Sequence, residues 1–209
     1  MADPPDHAAR GAVLAQCSPS VSRLLPRQLS LLARPAVGHD DAVSSHDYLS
    51  DRQEILDLLA TYCRGVDRLD LDLVRSTYAD AGVDHHTGFD GTADEYVAWL
   101  GRGLPKLDGT RHVLGTHVCE IRGDVAAAET YGTATHWGTP ADEPLLNFTT
   151  GFRYVDNLVR ERGQWRIAER WAIREWARSD AGHRLPVPAS GPRGARGPDD
   201  PMARLLARL

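Results

Sequence analysis

Three short stretches of the sequence hold side chains able to move a proton. Tyr62-Cys-Arg-Gly-Val-Asp67, at the end of the first helical pattern, offers a phenol and a carboxylate. Arg111-His112-Val-Leu-Gly-Thr-His117 opens a run of extended character and offers two imidazoles. Gly163-Gln-Trp-Arg-Ile-Ala-Glu-Arg170-Trp171 lies in the last extended run. Strand alternation there sets Arg170 between Ala168 and Ala172 on one face, which leaves room for a ligand. An imidazole titrates near neutrality and takes a proton well when one tautomer faces the substrate. A carboxylate on the other ring nitrogen fixes that tautomer and stabilises the imidazolium. A guanidinium or phenol can then steady a developing enolate or a departing hydroxyl. The chemistry would be proton removal beside a carbonyl, with loss or migration of a group.

Each residue also has a plainer role open to it. Tyr62 shares an apolar stripe with Ile55, Leu58, Leu59 and Val66 and fits a core tyrosine equally well. Asp67 follows Tyr62 by five residues, about 140° around an ideal helix. Spacing alone therefore favours an exposed helix-end acid, and both side chains face one cavity only if the helix ends or loosens at Gly65. Alternation puts His112, Leu114 and Thr116 on one strand face and His117 on the other, unless Gly115 marks a bulge. A lone strand histidine is more often structural. Arg170 suits a surface salt bridge nearly as well, and Trp165, Ile167, Trp171 and Ile173 share the face that reads as core. Asp84-His85-His86 with His117 or His136 has the residue types of a metal site. Neighbours on a strand point to opposite faces, so His85 and His86 do not share one ion, and no metal is expected. Phosphate-cradling glycine loops and nucleophile elbows are absent.

The elements that must position these groups change character at Gly109. Before it the pattern is helical. SDRQEILDLLATYCRGVDR opens with a capping-box pair, Ser50 and Gln53, LDLDLVRSTYA follows with Asp70 as N-cap, and TADEYVAWLGRGL carries a second box, Thr92 and Glu95. VDHHTGFDG, between the last two, reads as a short strand and turn. After Gly109, Arg111–Ile121 and Val125–Trp137 form one hairpin, and Leu146–Arg160 and Gln164–Trp176 form another. Helices followed by long hairpins predict an α+β fold with an antiparallel sheet. Long strands twist, so the sheet should curl around the helices and leave a concave interior. Residues 1–45 lack periodicity and read as a flexible N-terminal extension, with a short helix over Val21–Leu32; residues 46–178 read as the domain, and 179–209 as a Pro/Gly-rich tail whose basic PRGAR stretch is solvated, with a brief helical turn over Met202–Leu209.

The formal net charge of −5 argues against a nucleic-acid partner. No apolar run approaches the length of a membrane span. Cys17, Cys63 and Cys119 form no CxxC pair, so a disulfide framework or zinc site is not expected, and the start lacks a secretory pattern. A cytoplasmic protein is expected.

DRQEILDLLATYCRGVDRLDLDLVRSTYADAGVDHH, RHVLGTHVCEIRGDVAAAETY and GFRYVDNLVRERGQWRIAER together resemble the SnoaL-like branch of the nuclear-transport-factor-2-like superfamily. Relatives with similar polar sites are scytalone dehydratase, bile-acid 7α-dehydratase and hexachlorocyclohexane dehydrochlorinase. The resemblance implies a cone-shaped α+β barrel with a deep pocket and no metal or organic cofactor. It also implies that Asp67 and His112 match the aspartate–histidine dyad of these lyases. Tyr62 matches a pocket tyrosine of the bile-acid enzyme, and Arg170 falls where these lyases place a pocket arginine. The sequence departs from the bile-acid enzyme in having no acid suited to the site on the Glu129–Trp137 strand. The function implied is a cofactor-independent lyase of dehydratase type acting on a hydrophobic cyclic or polyketide-like molecule. An isomerase or cyclase using the same groups, or a non-catalytic ligand-binding protein, are the alternatives. A homo-oligomer, dimer or trimer, is expected by analogy with the family.

Overall fold

The structure, a computed structural model, describes residues 45–183 and 190–208. The expected extension over 1–45, apart from its last residue, lies outside the described residues, as do Val21–Leu32 and Cys17. Helix α1 (Ser45–Arg68) buries Ile55, Leu59, Tyr62 and Val66 as one stripe. It begins upstream of Ser50, so the expected capping box lies inside the helix, and Gln53 instead donates to Asp57 along its surface at 2.9 Å. Gly65 does not loosen α1, which runs through it and stops where Leu69 takes a left-handed φ of 56°. A Cβ at Gly65 would stand 2.7 Å from Val74 Cγ2, so its absence lets α2 (Leu71–Ser76) pack close. Asp70 caps α2, accepting from the Leu73 amide at 3.0 Å.

Strands β1 (Tyr78–His86) and β2 (Phe89–Thr92) form a hairpin that feeds α3 (Ala93–Gly103). The Thr92–Glu95 capping box starts α3 as its sequence implies. After a 3₁₀ turn over Leu104–Lys106 come β3 (Gly109–Arg122), β4 (Val125–Trp137), β5 (Phe148–Glu161) and β6 (Gln164–Ser179). The fold is α+β, with strand order β2-β1-β6-β5-β4-β3. The long strands β3 to β6 are antiparallel neighbours. The meander leaves one edge of β6 open, and β1 pairs there in the parallel sense, which makes the sheet mixed. The β5–β6 turn places Arg162 at φ 52° and Gly163 at φ 78°, the two left-handed positions that a tight hairpin turn requires.

Bulges decide which side chains face inward. On β3, Leu114 pairs with Gly132 but His117 with Thr130, so Gly115 and Thr116 stand opposite Tyr131 alone. His117 therefore joins His112 and Leu114 on the inner face, where its Nδ1 meets Thr130 Oγ1 at 2.8 Å. On β6, Ile167 pairs with Leu158 and Glu169 with Asn157, which leaves Ala168 unmatched. Trp165 and Ile167 are buried before this bulge, and Arg170 is buried after it. The expected core face breaks at that point: Trp171, read as core with Trp165, turns outward and is 39 % exposed. One inserted residue inverts the faces that follow it, here as far as Glu175, where Phe152 pairs with Arg174 but Gly151 with Trp176.

The described part of the C-terminal segment is mostly exposed but carries two short helical elements. It forms a 3₁₀ turn (Gly197–Asp199) and α4 (Pro201–Leu206), capped by Asp200, which accepts from the Met202 amide at 3.0 Å. Arg196, from the PRGAR stretch, donates to the carbonyls of Leu104 and Leu107 at 3.3 and 2.9 Å, and Arg68 Nε lies 3.5 Å from Asp200. No helix among the described residues is long and apolar enough to cross a membrane.

Candidate active site

Between α1, α3 and the inner face of the sheet lies a cavity of about 210 Å³. Helix α1 contributes Tyr62 and Val66, and α3 contributes Tyr96, Trp99 and Leu100. The sheet contributes His86 from β1, His112 from β3, Ala134 and His136 from β4, Phe152 and Tyr154 from β5, and Ala172 and Arg174 from β6. The walls are mostly aromatic and contain no carboxylate. Gly132 makes one of them possible, since a Cβ there would come within 2.5 Å of the Phe152 ring.

Asp67 and His112 meet at the edge of this cavity. Asp67 Oδ1 lies 2.7 Å from His112 Nδ1, Oδ2 accepts the His112 backbone N–H at 2.9 Å, and Thr110 Oγ1 donates to Oδ1 at 3.0 Å. The last turn of α1 is thus joined to the first residues of β3 by one carboxylate. The angular problem posed by a continuous helix is solved without loosening it. Tyr62 faces the cavity, whereas Asp67 does not line it and reaches His112 from the side. With Nδ1 engaged, Nε2 is the ring nitrogen left to act, and it has no hydrogen-bond partner among the described residues.

Arg170 is brought close to Tyr62 but not into the cavity wall. Its guanidinium lies 4.2 Å from the Tyr62 ring centre and 4.0 Å from that of Tyr154, and it donates to Asp156 from Nε (2.7 Å) and Nη2 (2.9 Å). It is completely buried beneath these rings, and Nη1 has no partner among the described residues. A cation held this way stiffens the tyrosines from behind.

Several cavity residues take places that their spacing in the sequence did not suggest. His136 stacks on Phe148 at 4.3 Å between ring centres and stands edge-on to His112 at 6.2 Å. Burial first, and the neighbouring His112 second, push its pKa down to about 4, so its imidazole is neutral at neutral pH. The strand that lacked a suitable acid thus supplies an uncharged histidine. Arg174 reaches the cavity because the bulge at Ala168 turned it inward. Finally, Asp84 and His86 share a face of β1 as residues i and i+2, a signal that the metal-site comparison of His85 with His86 passed over. His85 does point the other way, stacking on Trp171 with its Nε2 3.1 Å from Glu169. Asp84 is fully buried, accepts from the Tyr78 hydroxyl at 2.5 Å, and is hydrogen-bonded to His86 Nδ1.

The profile of the SnoaL-like domain matches residues 47–171. An uncharacterized protein of Mycobacterium tuberculosis is 31% identical over 137 residues, which cover 63% of this chain and 90% of that protein. Among solved structures, a hexachlorocyclohexane dehydrochlorinase from Novosphingobium barchaimii superposes with a TM-score of 0.58 at 17% identity, covering 69% of this chain and 100% of that one. A candidate scytalone dehydratase from Novosphingobium aromaticivorans gives 0.60 at 18% identity, covering 72% and 100%. At such identities the structural matches establish a shared fold.

Proposed function

The chain belongs to the SnoaL-like domain family, and from that premise we propose that it is a cofactor-independent lyase of the dehydratase type. Its substrate would be a hydrophobic cyclic or polyketide-like small molecule. The observation that carries this reading is the carboxylate of Asp67 gripping both the backbone N–H and Nδ1 of His112 beside an aromatic-walled cavity. In this reading His112 Nε2 removes a proton from a carbon next to a carbonyl. Asp67 keeps the proton on Nδ1 and stabilises the imidazolium that forms. Tyr62, in the wall, hydrogen-bonds the oxygen that gains charge or departs. Arg170 touches no substrate and acts by holding Tyr62 and Tyr154 in place. The dehydrochlorinase and the candidate dehydratase of the same fold support elimination as the reaction class.

The test is product analysis on a panel of cyclic β-hydroxy ketones, comparing wild type with His112→Ala. We expect a product lighter by one water and a loss in the variant of about 10²- to 10⁴-fold in kcat/KM, the usual weight of a general base. Unchanged mass would identify an isomerase or cyclase. Full activity in His112→Ala would remove His112 as the base.

A further inference from the structure

We propose that Asp84, His86 and Tyr96 form a second proton-handling chain, opposite His112, that delivers a proton through Tyr62 to the departing oxygen. This extends the lyase reading and rests on it. His86 Nδ1 is hydrogen-bonded to the buried Asp84 carboxylate, so the pair repeats the arrangement of His112 and Asp67 on another wall. His86 Nε2 lies 3.3 Å from the Tyr96 hydroxyl, and that hydroxyl lies 2.6 Å from the hydroxyl of Tyr62. The rings of His86 and Tyr96 also stack, 4.8 Å apart and 21° from parallel, which fixes the first link. Phe152 and Tyr154 separate the two histidines: Phe152 packs on His112 at 5.9 Å, and Tyr154 reaches His86 at 6.4 Å. A flat substrate lying on these rings would present one end to each histidine.

The proton balance of a dehydration closes on this chain. His112 Nε2 takes the proton from carbon, the C–C double bond forms, and the C–O bond breaks. The leaving oxygen takes the Tyr62 hydroxyl proton and departs as water. Tyr62 is restored from Tyr96, and Tyr96 by way of His86 Nε2, while the Nδ1 proton stays on the ring against Asp84. His86, whose side chain is 20% exposed, regains its proton from solvent, and His112 releases one. Burial raises the hydroxyl pKa of both Tyr62 and Tyr96, so each recovers its proton once it has given one up. A leaving chloride needs no proton, and that difference separates a proton chain from mere structural support.

The experiment compares β-hydroxycyclohexanone with β-chlorocyclohexanone as substrates for wild type, Tyr96→Phe, His86→Gln and His112→Ala. Tyr96→Phe removes one hydroxyl and keeps the ring. Breaking the chain should lower kcat for the hydroxy compound by about 10²-fold or more, and for the chloro compound by only a few-fold. Equal losses on both compounds would overturn the proposal. Proton–nitrogen NMR of the free protein gives an independent readout. A low-field Nδ1–H signal of His86 should be present in wild type and His112→Ala, and absent in Asp84→Asn. Its absence from wild type overturns the chain whatever the kinetics. Wild type inert toward both compounds counts against the lyase reading, and the NMR signal then decides the chain alone.

Discussion

Both oxygens of Asp67 are committed to the start of β3, and only a carboxylate accepts from every donor that meets there. Asp67→Asn should flip the His112 tautomer and lower kcat by roughly 10³- to 10⁴-fold, at a cost to folding of about 1–3 kcal/mol for the mismatched buried donor. Steady-state kinetics and urea denaturation check the two effects separately. His136 makes a prediction in pH. Its folded pKa is depressed from 6.5 to about 4, so the native state prefers the neutral ring. The stability this contributes is complete above pH 6.5 and is withdrawn as pH falls from 6.5 toward about 4. The loss over that window is on the order of 3 kcal/mol at about 1.4 kcal/mol per unit. His136→Phe, which keeps the stack on Phe148, should flatten this acid limb in denaturation curves taken across the window. Little of this was legible residue by residue. The spacing of Tyr62 and Asp67 argued against a shared site, and the motif resemblance alone paired Asp67 with His112. The pairing needs two segments 45 residues apart to touch, which no local pattern encodes.

At the scale of elements the sequence was far more readable. Hairpin turns, capping residues and helical stripes are local signals, and the strands and helices follow them within a few residues. The bulges were not legible, because an inserted residue leaves the β-rich composition unchanged while inverting the alternation after it. Trp171 was misplaced and Arg174 overlooked for that one reason. Packing across β4 and β5 gives a further test. Gly132→Ala would put a Cβ 2.5 Å from the Phe152 ring and 2.9 Å from the Val113 carbonyl. The ring must then move into the cavity or the strands must part, at a cost of about 1–3 kcal/mol. The denaturation midpoint should drop, and KM should rise more than kcat falls.

At the scale of the molecule, the outer face of the sheet carries exposed apolar side chains: Val113, Val118, Tyr131, Trp171 and Trp176. The family resemblance leads us to expect a dimer or trimer, and this face offers the apolar area that such an assembly would cover. Sedimentation equilibrium should show a species heavier than the 22.9 kDa chain, and Tyr131→Lys with Trp171→Lys should return it to monomer. The bond between the last turn of α1 and the start of β3 has its own consequence for heat. Helix ends open locally before a domain melts, because their opening free energy is smaller than the global one. When α1 frays at Asp67, His112 loses its orienting partner although the sheet and its core remain intact. Warming should therefore switch the proposed activity off reversibly, at a temperature where circular dichroism still reports a folded protein.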